Sequence, residues 1–212
     1  TKISKNDFNN VIKRLKSLGF TSNNYNGDYI LKIQNEFTDI KTGRTKLSNM
    51  RCELAGQSLI QNYCKSGRIS DVVSSLNFMI KSYVKDDKTK ETIFPIDMPS
   101  YNLRYSYQNE NNMTRSSPMV KQTLSDWDNS KKSFRFINRI SLLNDAYPVR
   151  IDLSIVKSTF TGYKNELFYN IKDSNISSNN ENYEIEIELL NNMIGLNTPY
   201  NTVESITSVI KK

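Results

Sequence analysis

The sequence predicts an α+β fold in which antiparallel strands close into a barrel and amphipathic helices cover the outside. Three observations predict it. Most of the chain after residue 130 consists of short segments of strand character, several strands alternate polar with apolar residues, and other segments carry one apolar side at helical spacing. If the polar faces converge inside a barrel, its apolar outer faces require a helical cover.

The N-terminal elements are predicted from a cap and from two periodicities. Ser4 followed by Asp7 resembles a capping box, and apolar residues at helical spacing continue until Gly19, which predicts an amphipathic helix. The segment Tyr29–Phe37 then alternates apolar and polar residues, as does Met50–Leu54. Both segments are therefore predicted to be strands.

The middle of the chain is predicted to mix helices with one strand. Helical periodicity predicts helices over residues 56–65 and 70–84, the second beginning at Ser70 and Asp71. A strand is predicted over Tyr101–Gln108. A short helix is predicted from Ser117 to Trp127, since Pro118 suits the first helical position.

The C-terminal part supplies the remaining strands. They are predicted over Phe134–Ile140, Val149–Lys157 and Tyr183–Leu190, with an asparagine-rich loop at residues 175–182. A final helix is predicted to open at Thr198 and Pro199. We interpret residues 1–212 as one domain, because single domains commonly hold about 100–200 residues.

The composition restricts the kinds of binding partner and the cellular compartment that we expect for this protein. A net charge of +7 and a pI near 9.2 favour an anionic partner such as nucleic acid or a nucleotide. No run approaches the roughly 18 apolar residues of a membrane helix, which predicts no membrane partner. Two cysteines, Cys52 and Cys64, fit a reducing compartment, so an intracellular location is expected.

The absence of histidine restricts the possible chemistry. It removes the usual neutral-pH base, Ser-His-Asp hydrolysis and most zinc sites. Any catalysis must then use carboxylates, lysine or arginine, and a hard metal ion.

The most informative segment is the predicted strand "YEIEIEL". Strict alternation places Glu184, Glu186 and Glu188 on one face and Ile185 and Ile187 on the other. Three like charges at this spacing repel one another and require cations or solvent. One interpretation is the solvated face of an edge strand. The other is a site for Mg²⁺ or Mn²⁺, which prefer carboxylate and water ligands.

Polar residues share faces on other predicted strands as well. These sets are Arg150 with Asp152 and Ser154; Asn102 with Arg104, Ser106 and Gln108; and Arg135 with Arg139. Each set alone is typical of an outer sheet face. Together, inside one barrel, they would combine metal ligands with phosphate ligands.

The segments "FRFINRISLLNDAYPVRIDLSIVKS" and "YEIEIEL" resemble the triphosphatase domain at the N-terminus of capping enzymes from large DNA viruses. That domain is similar to fungal RNA triphosphatases of the triphosphate tunnel metalloenzyme group. The resemblance is strongest over residues 101–190. It implies an eight-stranded antiparallel tunnel and metal-dependent removal of the γ-phosphate from triphosphate-ended RNA, the first step of mRNA capping.

The resemblance also implies roles for individual residues. Glu184, Glu186 and Glu188 would bind Mg²⁺ or Mn²⁺ or orient the attacking water. The triphosphate would be bound by Arg104, Arg135, Arg139, Arg150 and Lys157, with Arg150 also counted as catalytic. Asp152 would orient one of the arginines.

The family comparison further implies partners and a boundary. Guanylyltransferase and methyltransferase domains would be linked to or associated with the chain, in the virion or the host cytoplasm. The family's first-strand motif, two glutamates at i and i+2 followed by a basic residue, is missing. We therefore expect that the chain lacks a strand upstream of Thr1. The lysine motif of nucleotidyl transfer is also missing, so we expect this chain to carry only the triphosphatase step of capping.

Two alternatives stay open. A noncatalytic RNA-binding or scaffold domain would suit the positive charge and the tyrosines Tyr101, Tyr105 and Tyr107, which could stack on bases. A tunnel enzyme acting on free nucleotides or tripolyphosphate would need the same residues as an RNA triphosphatase.

Overall fold

The computed structural model describes residues 3–39, 42–101, 103–161 and 164–210. The chain divides into two compact units. The larger unit holds the described part of residues 30–136 and 158–179, and the smaller unit holds the described part of residues 2–29, 137–157 and 180–212.

The described residues form an α+β fold whose strands include seven antiparallel ladders. The helices are α1 (Lys5–Ser17), α2 (Gln57–Ser66), α3 (Pro118–Ser125) and α4 (Val203–Ile210). The strands are β1 (Asp28–Thr38), β2 (Thr45–Leu47), β3 (Met50–Ala55), β4 (Asn77–Tyr83), β5 (Ile96–Met98), β6 (Leu103–Tyr105), β7 (Gln108–Asn112), β8 (Lys132–Leu143), β9 (Val149–Ser158), β10 (Phe160–Thr161), β11 (Lys164–Asn165) and β12 (Asn182–Leu189). No helix in the described ranges is long and apolar enough to cross a membrane.

The smaller unit is built on the strand order β12, β9, β8. Its apolar face is covered by α1, which begins after Ser4 because the Ser4 hydroxyl accepts the Asp7 backbone N–H at 3.1 Å. The core of this unit consists of Phe8, Phe20, Leu142, Val149, Ile151 and Leu153. A helix therefore covers the apolar face of these strands, as predicted. The cover does not extend to Ile187, which is 54% exposed.

The larger unit orders its strands β1, β3, β4 and β7, with β2 paired to β1. Two further pairs, β5 with β6 and β10 with β11, form small separate sheets. Its most deeply buried side chains include Leu31, Ile33, Met50, Leu54, Tyr63, Val120 and Phe134. Tyr63 of α2 meets Trp127 edge-on, with ring centroids 6.4 Å apart. Helix α2 also lies against β3.

The predicted helix over residues 70–84 is wrong. The structure has 3₁₀ turns at Ile69–Asp71 and Val73–Ser75, followed by strand β4. The apolar positions of this segment fit both periods, and β4 pairs on both sides with β3 and β7. The ladder with β3 over residues 77–80 and the ladder with β7 over residues 79–83 pair much of the β4 backbone, which outweighs local helical propensity.

The predicted strand Tyr101–Gln108 is divided in the structure. Its described part contains the end of a 3₁₀ turn at Pro99–Tyr101, the short strand β6, and the start of β7. Asn102 lies outside the described residues. The final helix begins at Val203, later than Thr198. The other predicted helices and strands are confirmed, with bounds shifted by a few residues.

Candidate carboxylate and arginine site

The register of β12 against β9 places the charged residues of both strands side by side. Glu184 pairs with Ser154, Glu186 with Asp152, and Glu188 with Arg150. Cross-strand partners lie on the same face of a sheet, with Cβ atoms about 4.5–5.5 Å apart. The alternation seen in the sequence thus becomes one polar face in the smaller unit.

Asp152 lies at the centre of this face and is fully buried. Its Oδ1 accepts hydrogen bonds from Ser141 Oγ at 2.7 Å and from Arg150 Nε at 3.0 Å. Its Oδ2 lies 3.1 Å from a terminal nitrogen of Arg139 and 3.2 Å from one of Arg150. A buried carboxylate is costly unless its oxygens are paired, and here both are.

The two arginines connect Asp152 to the glutamates of β12. Arg139 donates to Glu186 at 2.9 Å and to Ser154 Oγ at 3.1 Å. Arg150 donates to Glu188 at 2.6 Å. Both glutamate side chains are 49% exposed, so the site passes from a buried carboxylate to a solvent-accessible rim.

The arginine charges are stabilised by this arrangement. Burial by itself would lower the pKa of Arg150, but the adjacent Asp152 carboxylate, followed by Glu188 and Glu186, raises it above its ordinary value. Arg150 is therefore a permanent cation with five N–H donors in a planar fork, the geometry that matches carboxylate and phosphate oxygens.

Three carboxylates of the site could also hold a cation. Oxygens of Asp152, Glu186 and Glu188 lie within 4.8 Å of one another. Oxygen ligands of this kind suit Mg²⁺ or Mn²⁺. With Glu184, the face carries four carboxylates against the two guanidinium groups of Arg139 and Arg150, so the charge balance of these six side chains also fits a divalent cation.

Asp152 is the ligand candidate that the sequence did not predict in this role. Its predicted role was to orient an arginine, and in the structure it contacts two. Glu184 is not in the group of three, although it shares their face and its side chain is half-buried. Ser141 was not predicted at all. Its position two residues after Arg139 on a strand is the signal that places it on the same face.

Two of the predicted phosphate ligands belong to the larger unit, and a third lies on the opposite face of β9. Arg104 belongs to the larger unit, where it pairs with Asp97 of the adjacent strand through two contacts of 2.6 and 2.9 Å. Arg135 also belongs to the larger unit and is half-buried. Lys157 follows Ile155 at alternate positions of β9, which places it on the face opposite Arg150.

The fold and the site define an α+β protein whose antiparallel strands carry a cluster of three carboxylates and two arginines. No protein-family model matches this chain, and no curated protein matches it either.

Proposed function

We propose that the chain is a divalent-metal-dependent polynucleotide 5′-triphosphatase that removes the γ-phosphate of triphosphate-ended RNA as the first step of mRNA capping. The proposal rests on one observation: three carboxylates and two arginines lie together on one sheet face. They are Asp152, Glu186, Glu188, Arg139 and Arg150. The proposal includes the closed eight-stranded tunnel of the resembled family. It also includes that family's association with guanylyltransferase and methyltransferase domains in the virion or host cytoplasm.

The carboxylates would hold the metal. Asp152, Glu186 and Glu188 supply the oxygen ligands, and a bound Mg²⁺ or Mn²⁺ would neutralise charge on the transferring phosphoryl group. Glu184, on the same face and outside the group of three, is the carboxylate available to orient the attacking water.

The arginines would bind the phosphate oxygens. Arg139 and Arg150 are now engaged by Asp152 and the two glutamates. An entering triphosphate offers the guanidinium groups an alternative anionic partner, and the released carboxylate oxygens are then free to ligate a cation. Phosphate binding and metal binding thus use the same set of contacts and should reinforce each other.

Phosphate release from triphosphate-ended RNA tests the proposal directly. We expect release with Mg²⁺ or Mn²⁺ and none in EDTA, and a preference for RNA over ATP or inorganic tripolyphosphate. Equal or faster turnover of the small triphosphates would favour a tunnel enzyme with free nucleotides as substrates. RNA binding without release under any metal would favour the noncatalytic scaffold.

A further inference from the structure

A second charged face lies in the larger unit and consists of residues to which the proposed hydrolysis assigns no role. Lys32 of β1 pairs with Glu53 of β3, and Lys81 of β4 pairs with Glu110 of β7. Arg51, two residues before Glu53, pairs with Met79 of β4. Alternation therefore places all of these side chains on one face of the β1, β3, β4, β7 sheet.

The register arranges the three cations in a diagonal row. Lys32 is opposite Glu53, so it is offset by two residues from Arg51 along the strands. Lys81 is two residues beyond Met79, the partner of Arg51, and is offset in the opposite direction. Diagonal neighbours in a sheet lie about 7–8 Å apart. We call Lys32, Arg51 and Lys81 the basic row.

The two outer members of the basic row already have carboxylate partners. Lys32 Nζ lies 2.9 Å from Glu53, and both side chains are largely buried. Lys81 forms an ion pair with Glu110. The hydrogen bond from Lys81 lowers the pKa of Glu110 below its ordinary value; partial burial opposes this, and the charges of Lys32 and Arg51 add to the lowering.

The central member is different. Among the residues that the structure describes, the half-buried Arg51 guanidinium forms no hydrogen bond and has no carboxylate within ion-pair distance. Glu36, on the same face of β1, accepts the Lys131 backbone N–H at 2.9 Å instead. A partly desolvated cation whose five donors make no hydrogen bond to the described residues is well suited to bind an external anion.

Taking RNA from the proposed function, on which this choice of ligand rests, we propose that the basic row binds successive phosphodiesters of a single-stranded RNA, with Arg51 making the central contact. The spacing favours this ligand over a triphosphate. Neighbouring phosphates of a triphosphate share one bridging oxygen, whereas phosphodiesters are separated by a whole ribose, which is closer to the diagonal spacing of the row. The net charge of +7 supports a polyanionic partner.

Binding of a fluorescein-labelled, 5′-hydroxyl RNA oligonucleotide in EDTA tests the basic row separately from hydrolysis. Anisotropy titrations over a salt series give the slope of log Kd against log salt. Arg51→Gln should weaken binding and reduce the slope by about 0.7, the loss of one phosphate contact with a single strand. Arg51→Lys should keep most of the slope. Glu110→Gln, which frees Lys81, should tighten binding.

The matched control is Arg68→Gln, an equal change of charge in the same unit at a side chain that is 76% exposed. It should leave the slope unchanged. Glu186→Ala should abolish phosphate release yet bind the 5′-hydroxyl RNA normally, which separates the two proposals. Three results would overturn the assignment. The first is a salt slope in Arg51→Gln equal to that of the wild type, and the second is unchanged RNA affinity in Glu110→Gln. The third is a loss of tripolyphosphate binding in Arg51→Gln as large as its loss of RNA binding.

Discussion

The Arg139 guanidinium lies 3.1 Å from the carboxylate of Asp152, which has no solvent-exposed surface. Arg150 approaches the same carboxylate at 3.0 Å, so one buried anion fixes two cations. Without Asp152 the two guanidinium groups would lose their shared anion and repel each other, and each would keep only its half-exposed glutamate as an ion-pair partner. Asp152 therefore determines the geometry of the site.

Asp152→Ala should be strongly destabilising. It leaves two partly buried arginines without their shared anion, and breaking such a buried pair typically costs about 3–5 kcal/mol. Urea unfolding monitored by circular dichroism measures the change. Asp152→Asn, which keeps the side-chain shape and an oxygen acceptor for Ser141, should be less harmful. A loss below about 1 kcal/mol in the alanine variant would show that solvent compensates for the missing charge.

Glu186→Gln and Glu188→Gln should separate activity from stability. Each removes one anionic oxygen ligand from the candidate metal site, so γ-phosphate release should fall to near background. Their half-exposed ion pairs are screened by solvent, and the free energy of unfolding should change by less than about 1 kcal/mol. Deleting one of several neighbouring carboxylates also relieves repulsion.

Glu181→Gln is the matched control for these two variants. Glu181 accepts a hydrogen bond from the Tyr183 hydroxyl and lies before the alternating segment. The same change of charge there should leave phosphate release intact. Full activity of Glu186→Gln and Glu188→Gln at limiting Mn²⁺ would remove these residues from the metal site.

Arg150→Lys should show whether the site needs the two parallel N–H donors of a guanidinium group or only a positive charge. Lysine keeps the charge but cannot contact Asp152 through two parallel N–H donors, as Arg150 does at 3.0 and 3.2 Å. We expect weaker triphosphate binding, seen as a raised KM, and a smaller loss of binding of the diphosphate-ended product, seen as its inhibition constant. An equal loss for both RNAs would indicate that Arg150 holds the carboxylates and not the substrate.

Local patterns predicted the parts of the site that depend on alternation. The glutamates share one face within β12, and Arg150 and Asp152 share one face within β9, because side chains alternate strictly along a strand. The cap at Ser4 likewise predicted the start of α1. In both cases the determining interactions lie within a few residues of one another.

The degree to which each carboxylate is buried could not be predicted from the sequence. Asp152 and Glu186 are cross-strand partners with similar sequence surroundings, yet one is fully buried and the other is half-exposed. The difference arises from β8, which contributes Arg139 and Ser141 to the Asp152 side. Strand β4 was missed for a related reason, since its pairing with β3 and β7 is invisible to local periodicity.

Lys132 provides a test of pH dependence in the larger unit. Its side chain is fully buried, and Nζ donates to the backbone oxygens of Ser130 at 2.7 Å and Tyr169 at 3.0 Å, 5.2 Å from the Trp127 ring centroid. Burial lowers the pKa of Lys132 from 10.5 to about 8. Burial also raises the pKa of Cys52, from 9.0 to about 12.

These two shifts have opposite consequences for stability. Above pH 8 the folded chain releases the Lys132 proton while the unfolded chain keeps it, so stability rises with pH. Above pH 9 the unfolded chain also releases the Cys52 proton while the folded chain keeps it, which opposes the rise. The free energy of unfolding should therefore increase between pH 8 and 9, by less than about 1.4 kcal/mol, and flatten beyond. Lys132→Met should remove the increase, and Cys52→Ala should extend it above pH 9. Urea unfolding of the wild type and of both variants across this pH range measures these changes. If the free energy of unfolding rises equally in Lys132→Met, the effect belongs to another group.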